Sequence, residues 1–558
     1  MPTTPFPAEA PQPGVPLSGS TKVTLCDIVV DAMDSHGVAR IFGVPGGGSS
    51  LQVIEAAAQR GIPFVLTRSE TPALIMAAVT GELSGQLGAA LTTKGPGVAN
   101  GLNGLAYALL DRAPMVLLSD GFDAAGLRYQ THQVLDQAAL VAPLTKGYSR
   151  LVGPDPAADA AALFDLALTH PHGPVCVEFT AGRGAAPVAA ALSALLPVAK
   201  SPTTPDPVAL ARAAQLLRTA RRPVVVAGLQ AVRDPGFASA LERLVRRLGC
   251  PVFATYKAKG VLPDTDPLMA GLYVGGAGEA PAIASGDLVI LFGADPVEFA
   301  LQPWRYGGLP VIEATLHAHE RHYTTPDATL IGALDDTADA LLAVAQGSDW
   351  QATEIARIRD DLRAQLLIAP GPAITPQDVI DAAVALAPDA ARITVDAGAH
   401  MLTAMAFWQA RRPGDVLISN GLATMGFSLP AAIAAALHDP ARPVIAFTGD
   451  GGLAMCLGEL GTAVQQGCDI TVVVFNDSAL SMIGVKQVSS GLAAQGVAFS
   501  ETDFAAVARG FGMPGFRCDR LGDLSSMMAE ALAVSGPSLL DVRVDPAGYS
   551  CQVKRLRG

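Results

Sequence analysis

The chain has 558 residues, of which half are hydrophobic and only 16% are charged, and its formal net charge is −13. This length is too great for one hydrophobic core and predicts about three domains. The acidic balance argues against nucleic acid as a partner. No uninterrupted apolar stretch is long enough to span a bilayer, so no membrane partner is expected.

Residues 1–20 are rich in Pro and Thr and contain no basic segment followed by an apolar core. They predict a flexible leader and not a secretory signal. The seven cysteines show no CxxC spacing, which predicts free, buried thiols in a reducing, cytoplasmic compartment. They are Cys26, Cys176, Cys250, Cys456, Cys468, Cys518 and Cys551.

The segment 21–185 alternates helical patterns with short apolar runs, which is typical of a parallel sheet in an α/β domain. Helices are predicted over 25–36, 72–84 and 100–112, and strands over 40–43, 63–66, 87–91, 114–118 and 174–179. A linker rich in Pro, Ala and Thr follows at 185–207.

The segment 206–346 repeats this alternation, with buried-strand patterns at 222–228, 250–255, 287–293 and 309–314. A connection over 346–375 is predicted to be helical in its charged part. A third α/β segment covers 375–548, and residues 549–558 are predicted as a tail. The predicted fold class is therefore α/β, with three doubly wound parallel-sheet domains.

Two polar motifs follow consecutive strands of the third segment. The strand over 443–448 runs into Gly449-Asp450-Gly451-Gly452, a helical stretch covers 453–466, and the strand over 470–475 runs into Asn476-Asp477. Parallel strands present their carboxyl ends at one edge, where ligands bind. Carboxylates suit Mg²⁺, and glycines let backbone amides approach a phosphate. Each motif alone also fits a plain turn, but the ordered pair predicts a metal-bridged diphosphate.

Two positions in the first segment carry candidate chemistry. Glu70 follows a strand and precedes an alanine-rich helix; by itself it is also an ordinary first-turn carboxylate favoured by the helix dipole. Lys94-Gly95-Pro96-Gly97 ends the next strand and opens a helix. Lys94 suits either an anionic ligand or plain solvation.

Together with Gly398-Ala399-His400 and Gly421-Leu422-Ala423-Thr424-Met425-Gly426, these motifs resemble the thiamine-diphosphate (ThDP) enzymes, of the acetolactate synthase and 2-oxo acid decarboxylase type. The resemblance covers residues 21 to 547. It implies a pyrimidine-binding domain at 21–185, a middle domain at 206–346 and a diphosphate-binding domain at 375–548. It also implies that the site lies between two chains, so that a homodimer is the minimum and a homotetramer is the expected assembly.

The resemblance assigns roles to residues of this chain. The catalytic candidates are Glu70 and Gln133. Glu70 would promote the imino tautomer of the cofactor. Cofactor binding is assigned to Gly398, Ala399, His400, Ala423, Met425, Gly449, Asp450, Gly451, Gly452, Asp477, Leu480 and Ser481. Metal binding is assigned to Asp450, Asp477 and the carbonyl of Ala479. Substrate contacts are assigned to Lys94, His132, Met482, Ile483 and Lys486.

The implied function is ThDP- and Mg²⁺-dependent formation or cleavage of a C–C bond next to a carbonyl, with a 2-oxo acid as substrate. A lyase or hydrolase of acyloins or diketones is an alternative. A flavin-containing oxidase of the same fold is another alternative. Gly228-Leu-Gln and Gly293-Ala-Asp fit the turns of an FAD domain, but only weakly. An NAD dehydrogenase is disfavoured because Gly43-Val-Pro-Gly46-Gly47-Gly48 is not a GxGxxG motif. A relative without catalysis would lack Glu70 or Asp450.

Overall fold

The structure, a computed structural model, describes residues 23–180, 182–188, 204–299 and 303–557. It contains three six-stranded sheets, and all strand pairs within them are parallel. This confirms the predicted fold class. The predicted leader lies outside the described residues, as do residues 189–203 of the predicted linker.

The first unit has the sheet order β2-β1-β3-β4-β6-β5. Its strands are β1 Ile41–Val44, β2 Phe64–Leu66, β3 Gly88–Thr92, β4 Met115–Gly121, β5 Gly147–Ser149 and β6 Pro174–Thr180. Its helices are α1 Leu25–Ser35, α2 Ser49–Gln59, α3 Glu70–Ser84, α4 Pro96–Leu110, α5 Gln137–Val141 and α6 Pro156–Leu168. Helix α3 is apolar nearly all round and packs between α4 and α14 of the third unit (Ser428–His438), so its residues 72–81 are buried.

The middle unit has the order β12-β11-β10-β7-β8-β9. Its strands are β7 Pro223–Ala227, β8 Val252–Ala254, β9 Met269–Leu272, β10 Leu288–Phe292, β11 Val311–Thr315 and β12 Ala328–Ile331. Its helices are α7 Pro207–Thr219, α8 Pro235–Leu248, α9 Ala280–Ala284, α10 Leu334–Leu342 and α11 Ala352–Ala364. Helix α11 forms the charged part of the predicted connection and packs against β9.

The third unit has the order β14-β13-β15-β16-β18-β17. Its strands are β13 Arg392–Val395, β14 Val416–Ile418, β15 Val444–Gly449, β16 Ile470–Asn476, β17 Gly515–Cys518 and β18 Ser538–Arg543. Its helices are α12 Pro376–Leu386, α13 Ala399–Phe407, α14 Ser428–His438, α15 Asp450–Met455, α16 Glu459–Gln466, α17 Ser481–Ser489, α18 Phe504–Gly510, α19 Leu524–Leu532 and α20 Tyr549–Arg557.

Helices cover both faces of the third sheet, so its central strands are buried throughout. Every residue of β16 is buried, which is why its sequence is mostly apolar and does not alternate between apolar and polar residues. The chain leaves β13 toward β14 on one side and reaches β15 on the other. The topological switch point of this sheet therefore lies between β13 and β15.

The stretch predicted as one helix over 453–466 is two helices, so that prediction is wrong. The chain leaves the helical conformation at Cys456 and restarts at Glu459. A side chain at Gly458 would come within 3.0 Å of Arg68 Cβ, and the Glu459 carboxylate accepts the Arg68 N–H at 3.0 Å. Close contact with the first unit breaks the helix at this point.

Two further expectations differ from the structure. The predicted tail contains helix α20, where Gln552 is fully buried and donates to the Leu366 carbonyl at 2.8 Å. All seven cysteines are free, but Cys551 on α20 is exposed, whereas burial was predicted for every one. Across the described ranges, the structure contains no helix with the length and apolarity needed to cross a bilayer.

Candidate active site

A cavity of about 220 Å³ opens at the switch point of the third sheet. All the residues predicted to bind cofactor or metal line it, drawn from the ends of β13, β15 and β16 and from the turn before α14. The lining residues are Ala397, Gly398, Ala399, His400, Met401, Ala423, Met425, Gly449, Asp450, Gly451, Gly452, Phe475, Asp477, Ala479, Leu480, Ser481, Met482, Ile483 and Tyr549.

Two carboxylates meet at one edge of this cavity because β15 and β16 are neighbouring strands. Asp450 Oδ1 accepts the Gly451 N–H at 2.7 Å, whereas Oδ2 is buried without a hydrogen-bond partner. Burial and the nearby Asp477 carboxylate raise the pKa of Asp450 to about 6, and burial also raises the pKa of Asp477. A divalent cation bound here would stabilise the charged form of both side chains, because it offsets the desolvation of each carboxylate and their mutual repulsion.

The turn after β16 aims Asp477 and Ala479 at the cavity through Ser478, which adopts the left-handed conformation with φ of 58°. Arg543 holds this turn by donating to Ser478 Oγ at 2.9 Å and to Asn476 Oδ1 at 2.7 Å. The Phe499 N–H donates to the Ser478 carbonyl at 2.7 Å. Ser478 is not a glycine, so its left-handed conformation is strained, and these side-chain and backbone hydrogen bonds hold it in place.

Two glycines of the cavity lining, Gly398 and Gly449, make room for the His400 imidazole. A side chain at Gly398 would come within 2.7 Å of His400 Cε1, and one at Gly449 within 3.3 Å. Burial lowers the pKa of His400 to about 3, so the ring is neutral at neutral pH. Its Nε2 is buried without a partner. These features leave a neutral imidazole able to hydrogen-bond a ligand in the cavity.

The carboxylate of Asp396 anchors the turn that carries Met425. Asp396 is fully buried and accepts from Ala397 N at 2.8 Å, Phe427 N at 3.3 Å, Gly426 N at 3.2 Å and Thr448 Oγ1 at 2.9 Å. Burial raises its pKa to about 6. Sequence reasoning missed this role, because three of the four donors lie 30 or more residues away in the chain.

The first unit supports the same turn from the other side. Asp111, at the end of α4, accepts the backbone N–H groups of Asn420 at 2.8 Å and of Gly421 and Leu422 at 3.3 Å. Thr424 Oγ1 donates to Asn103 Oδ1 at 2.9 Å. The loop that leads to Ala423 and Met425 is thus held between two units of one chain.

Tyr549 is a second cavity residue that sequence reasoning missed, because it lies in the predicted tail and belongs to no motif. It is 1% exposed. Burial, with the carboxylates of Asp477 and Asp450, raises the pKa of Tyr549 well above its usual range. Its hydroxyl therefore stays protonated and can donate a hydrogen bond.

Glu70 does not line this cavity. It is the first residue of α3, and its Oε2 accepts from Asn100 Nδ2 at 2.5 Å. The other oxygen faces Gly97, where an added side chain would lie 3.4 Å away. The structure therefore places this predicted catalytic carboxylate in the first unit, away from the cofactor candidates of its own chain.

The other first-unit candidates are more exposed than their predicted roles require. Gln133 and His132 are exposed, and Gln133 has a left-handed φ of 60°. The buried glutamine of this segment is Gln137, which accepts the Gly95 N–H at 2.7 Å. Lys94 is half-buried, with Nζ 5.2 Å from the centre of the Phe122 ring.

The substrate candidates of the third unit separate into two groups. Met482 and Ile483 line the cavity, and Ile483 is 44% exposed. Lys486, one turn further along α17, is exposed and does not line the cavity.

The switch point of the middle sheet, between β7 and β10, is filled by a carboxylate of the chain itself. Glu298 Oε2 accepts the N–H groups of Leu229 at 2.8 Å and Asp295 at 3.1 Å, and Oε1 accepts from Thr255 Oγ1 at 2.5 Å. Glu298 is buried, and burial raises its pKa to about 7. An acidic group thus occupies the place where the phosphates of a dinucleotide would bind in such a sheet.

Comparison with protein families agrees with this geometry. Residues 23–140 match the thiamine pyrophosphate enzyme N-terminal TPP binding domain, 210–341 the central domain, and 396–542 the C-terminal TPP binding domain. The chain belongs to this family. It is an enzyme of the carboligase and decarboxylase type, acting on a C–C bond next to a carbonyl.

Three relatives resemble the chain over nearly its whole length. An acetolactate synthase from Bacillus subtilis is 29% identical, with 93% of each chain covered. A catabolic acetolactate synthase from Raoultella terrigena is 29% identical, covering 93% of this chain and 94% of the relative. A probable 2-ketoarginine decarboxylase from Pseudomonas aeruginosa is 30% identical, with 95% of each chain covered.

Proposed function

We propose that the chain binds ThDP and Mg²⁺ in the cavity of the third unit, decarboxylates a 2-oxo acid, and passes the remaining fragment to a proton or to a second carbonyl. The observation that carries this proposal is the gathering of Asp450, Asp477, His400 and Met425 around one cavity. Two buried polar atoms there, Asp450 Oδ2 and His400 Nε2, lack partners and fit a metal and a diphosphate oxygen. When bound, ThDP supplies the electron sink for cleavage of the bond next to the carbonyl.

The protein would contribute binding and orientation. Asp450, Asp477 and the Ala479 carbonyl would ligate Mg²⁺, a hard cation that prefers oxygen. Helix α17 begins at Ser481, whose backbone amide would bind diphosphate, which the helix N-terminus favours. The Leu480 N–H already donates to the Val497 carbonyl at 2.7 Å, so Leu480 would contact the cofactor only through its place in the cavity lining.

The remaining cavity residues would hold the cofactor from the other side. His400 and the Gly398 amide would bind diphosphate oxygens. Met425 would pack against the cofactor, while the Ala423 backbone would contact its ring. Gly449, Gly451 and Gly452, together with Ala399, would leave the space that this approach requires.

We further propose that Glu70 acts on the cofactor of a second copy, so that a homodimer is the smallest active form. In its own chain Glu70 is separate from the cavity, with Oε1 free of the Asn100 contact. That oxygen would hold the proton shared with a ring nitrogen of the cofactor. Gln133 would approach the same site from the second copy.

Exposed apolar side chains support this assembly, because they surround both halves of the site. Helix α17 has no buried residue although it carries Met482, Ile483 and Val488. Around the cavity and around the Gln133 loop, large apolar groups are exposed. They are Ile483, Val488, Leu492 and Phe499 on the third unit and Leu127, Tyr129 and Leu135 on the first. Apolar rims of this kind are typical of surfaces that are covered in an assembly.

We propose a homotetramer of two such dimers, located in the cytoplasm.

Substrate selection is proposed for residues just beyond the metal turn. Met482 and Ile483 would pack on the reacting fragment, because both line the open side of the cavity. Lys94, His132 and Lys486 are proposed to contact an anionic substrate or its extension across the dimer interface. The two lysines carry the positive charge that such a group requires.

Two alternative functions have different support in the structure. A lyase or hydrolase of acyloins or diketones would use the same cavity. A flavin oxidase is disfavoured, because Glu298 uses the amides at the switch point of the middle sheet. We therefore expect the purified protein to lack the visible absorption bands of a flavin.

A substrate screen with ThDP and Mg²⁺ tests the proposal. Pyruvate, longer and aromatic 2-oxo acids, and acyloins are each incubated with the full chain, and CO₂ and organic products are identified directly. The proposal is supported if the wild-type protein releases CO₂ from a 2-oxo acid and the Asp450→Ala variant does not. Aldehyde release from acyloins without CO₂ would favour the lyase, and the absence of turnover on every compound would contradict both.

A further inference from the structure

A group of histidines and carboxylates lies at the carboxyl edge of the middle sheet, outside the proposed active site. Strands β10 and β11 are neighbours, and each is followed by polar residues. Asp295 follows β10 and is fully buried, and the loop after β11 carries His317 and His319. Neighbouring parallel strands bring these two segments to the same place.

The three side chains have ligand atoms that lie within 4.8 Å of one another. His317 Nε2 is 3.9 Å from Asp295 Oδ2, and the rings of His317 and His319 have centres 4.8 Å apart. His317 Nδ1 is buried without a hydrogen-bond partner. One nitrogen from each ring and one carboxylate oxygen can converge on a single ion after small side-chain rotations.

The carboxylate of this group is fixed in place by an arginine. Arg112 Nε donates to Asp295 Oδ2 at 2.8 Å and Nη2 to Oδ1 at 3.1 Å, which fixes the carboxylate in position.

Further groups orient the histidines without being ligands. Glu313 Oε1 is 3.5 Å from His319 Nε2 and 3.0 Å from His322 Nε2. His322 Nδ1 accepts the Thr324 N–H at 3.1 Å, whereas its Nε2 lies beside Glu313 without a hydrogen bond. His319 Nε2 is 3.2 Å from Thr315 Oγ1, within hydrogen-bond distance, and lies beside the Glu313 carboxylate. Its Nδ1 is therefore the nitrogen left to bind an ion. A carboxylate on the far nitrogen of a histidine ligand is the usual arrangement around protein-bound metals.

We propose that Asp295, His317 and His319 form a site for a borderline divalent cation such as Zn²⁺, with Glu313 as a positioning residue. Two imidazoles and one carboxylate favour Zn²⁺, Ni²⁺ or Co²⁺ over Mg²⁺ or Ca²⁺, which prefer oxygen ligands. The ion would tie the loop after β11 to the turn after β10. Through Arg112 it would also steady the end of α4, where Asp111 holds the loop that leads to Met425. This inference does not depend on the proposed function.

Calorimetric titration with ZnCl₂ tests the site. The full chain is used with ThDP and excess Mg²⁺ present, so that the cavity of the third unit is saturated. Cys551→Ser serves as the background, because an exposed thiol would also bind Zn²⁺. We expect one equivalent of Zn²⁺ per chain and a rise in the unfolding temperature on binding.

Variants locate the ion. His317→Ala and His319→Ala should each weaken Zn²⁺ binding by more than about tenfold, and Glu313→Gln by about 10- to 100-fold. The matched control His438→Ala, an exposed histidine on α14, should bind as the background does. The proposal would be overturned if the background protein bound no Zn²⁺, or if both alanine variants bound Zn²⁺ as tightly as the background protein does. If those variants do not fold, Co²⁺ is added to the background protein, and the absence of visible bands from histidine-ligated Co²⁺ would overturn it equally.

Discussion

Replacing Asp396 by Asn should weaken cofactor binding while leaving the fold intact. Asp396 accepts four hydrogen bonds, and Asn can accept only at its single oxygen. That oxygen is expected to take the place of Oδ1, which accepts from the amides of Ala397 and Phe427. The new NH₂ group then faces the Gly426 N–H and the Thr448 hydroxyl.

The size of the effect follows from these two contacts. The Thr448 hydroxyl can rotate and accept from the new amide, so its cost is small. The Gly426 N–H cannot, and a buried donor without an acceptor costs about 1–3 kcal/mol. If the whole of this free-energy cost falls on the ligand-bound form of the Met425 turn, the affinity for ThDP falls roughly 5- to 150-fold.

Calorimetric titration with ThDP at saturating Mg²⁺ measures this affinity. Asp415→Asn is the matched control, because Asp415 is also a buried carboxylate of the third unit that accepts backbone N–H groups, from Arg411 and Arg412. It lies outside the cavity lining. Unchanged affinity in Asp396→Asn, or an equal loss in the control, would refute the role given to Asp396.

Three further predictions concern the same chain. Glu70→Gln should lower kcat by at least about 10²-fold with an unchanged unfolding temperature, and turnover close to wild type would remove Glu70 from the mechanism. Asp477→Asn should raise the Mg²⁺ concentration needed for half-maximal activity while stabilising the metal-free protein, because one of two facing carboxylates is gone; an unchanged Mg²⁺ requirement would contradict its place as a ligand. Because the pKa of Asp396 is raised to about 6, the folded protein keeps a proton that the unfolded chain releases near pH 4. The stability of wild type relative to Asp396→Asn should therefore fall by roughly 3 kcal/mol between pH 4 and 7, and a flat difference in denaturation profiles would disprove the shift.

The sequence predicted the elements whose signal is local. The buried strands were predictable because their β-branched runs need no information from elsewhere in the chain, as in 470–475. Asp450 and Asp477 could be placed together because consecutive parallel strands end at one edge. The break between α15 and α16 could not be predicted, because it depends on the contact of Gly458 with Arg68 from another unit.

Candidate residues that depend on distant partners were the ones missed. Asp396 and Asp111 act on backbone amides far along the chain, and Tyr549 enters the cavity from a helix outside any motif. The segment 129–137 contains three glutamines, and the hydrogen bond to Gly95 distinguishes buried Gln137 from exposed Gln133. Periodicity gives no sign that Glu70 is absent from the cavity lining of its own chain, and only the resemblance to ThDP enzymes led to that expectation.

The central claim is that the site is completed by Glu70 of a second copy. Glu70→Gln and Asp450→Ala chains, each inactive by expectation, are unfolded, mixed in equal amounts, refolded together and assayed for turnover. In a mixed dimer one of the two sites has both native residues, so random assembly predicts recovery of about one quarter of the activity of wild type refolded in the same way. A mixture that stays as inactive as its two components would contradict the shared site and place Glu70 and Asp450 in one chain.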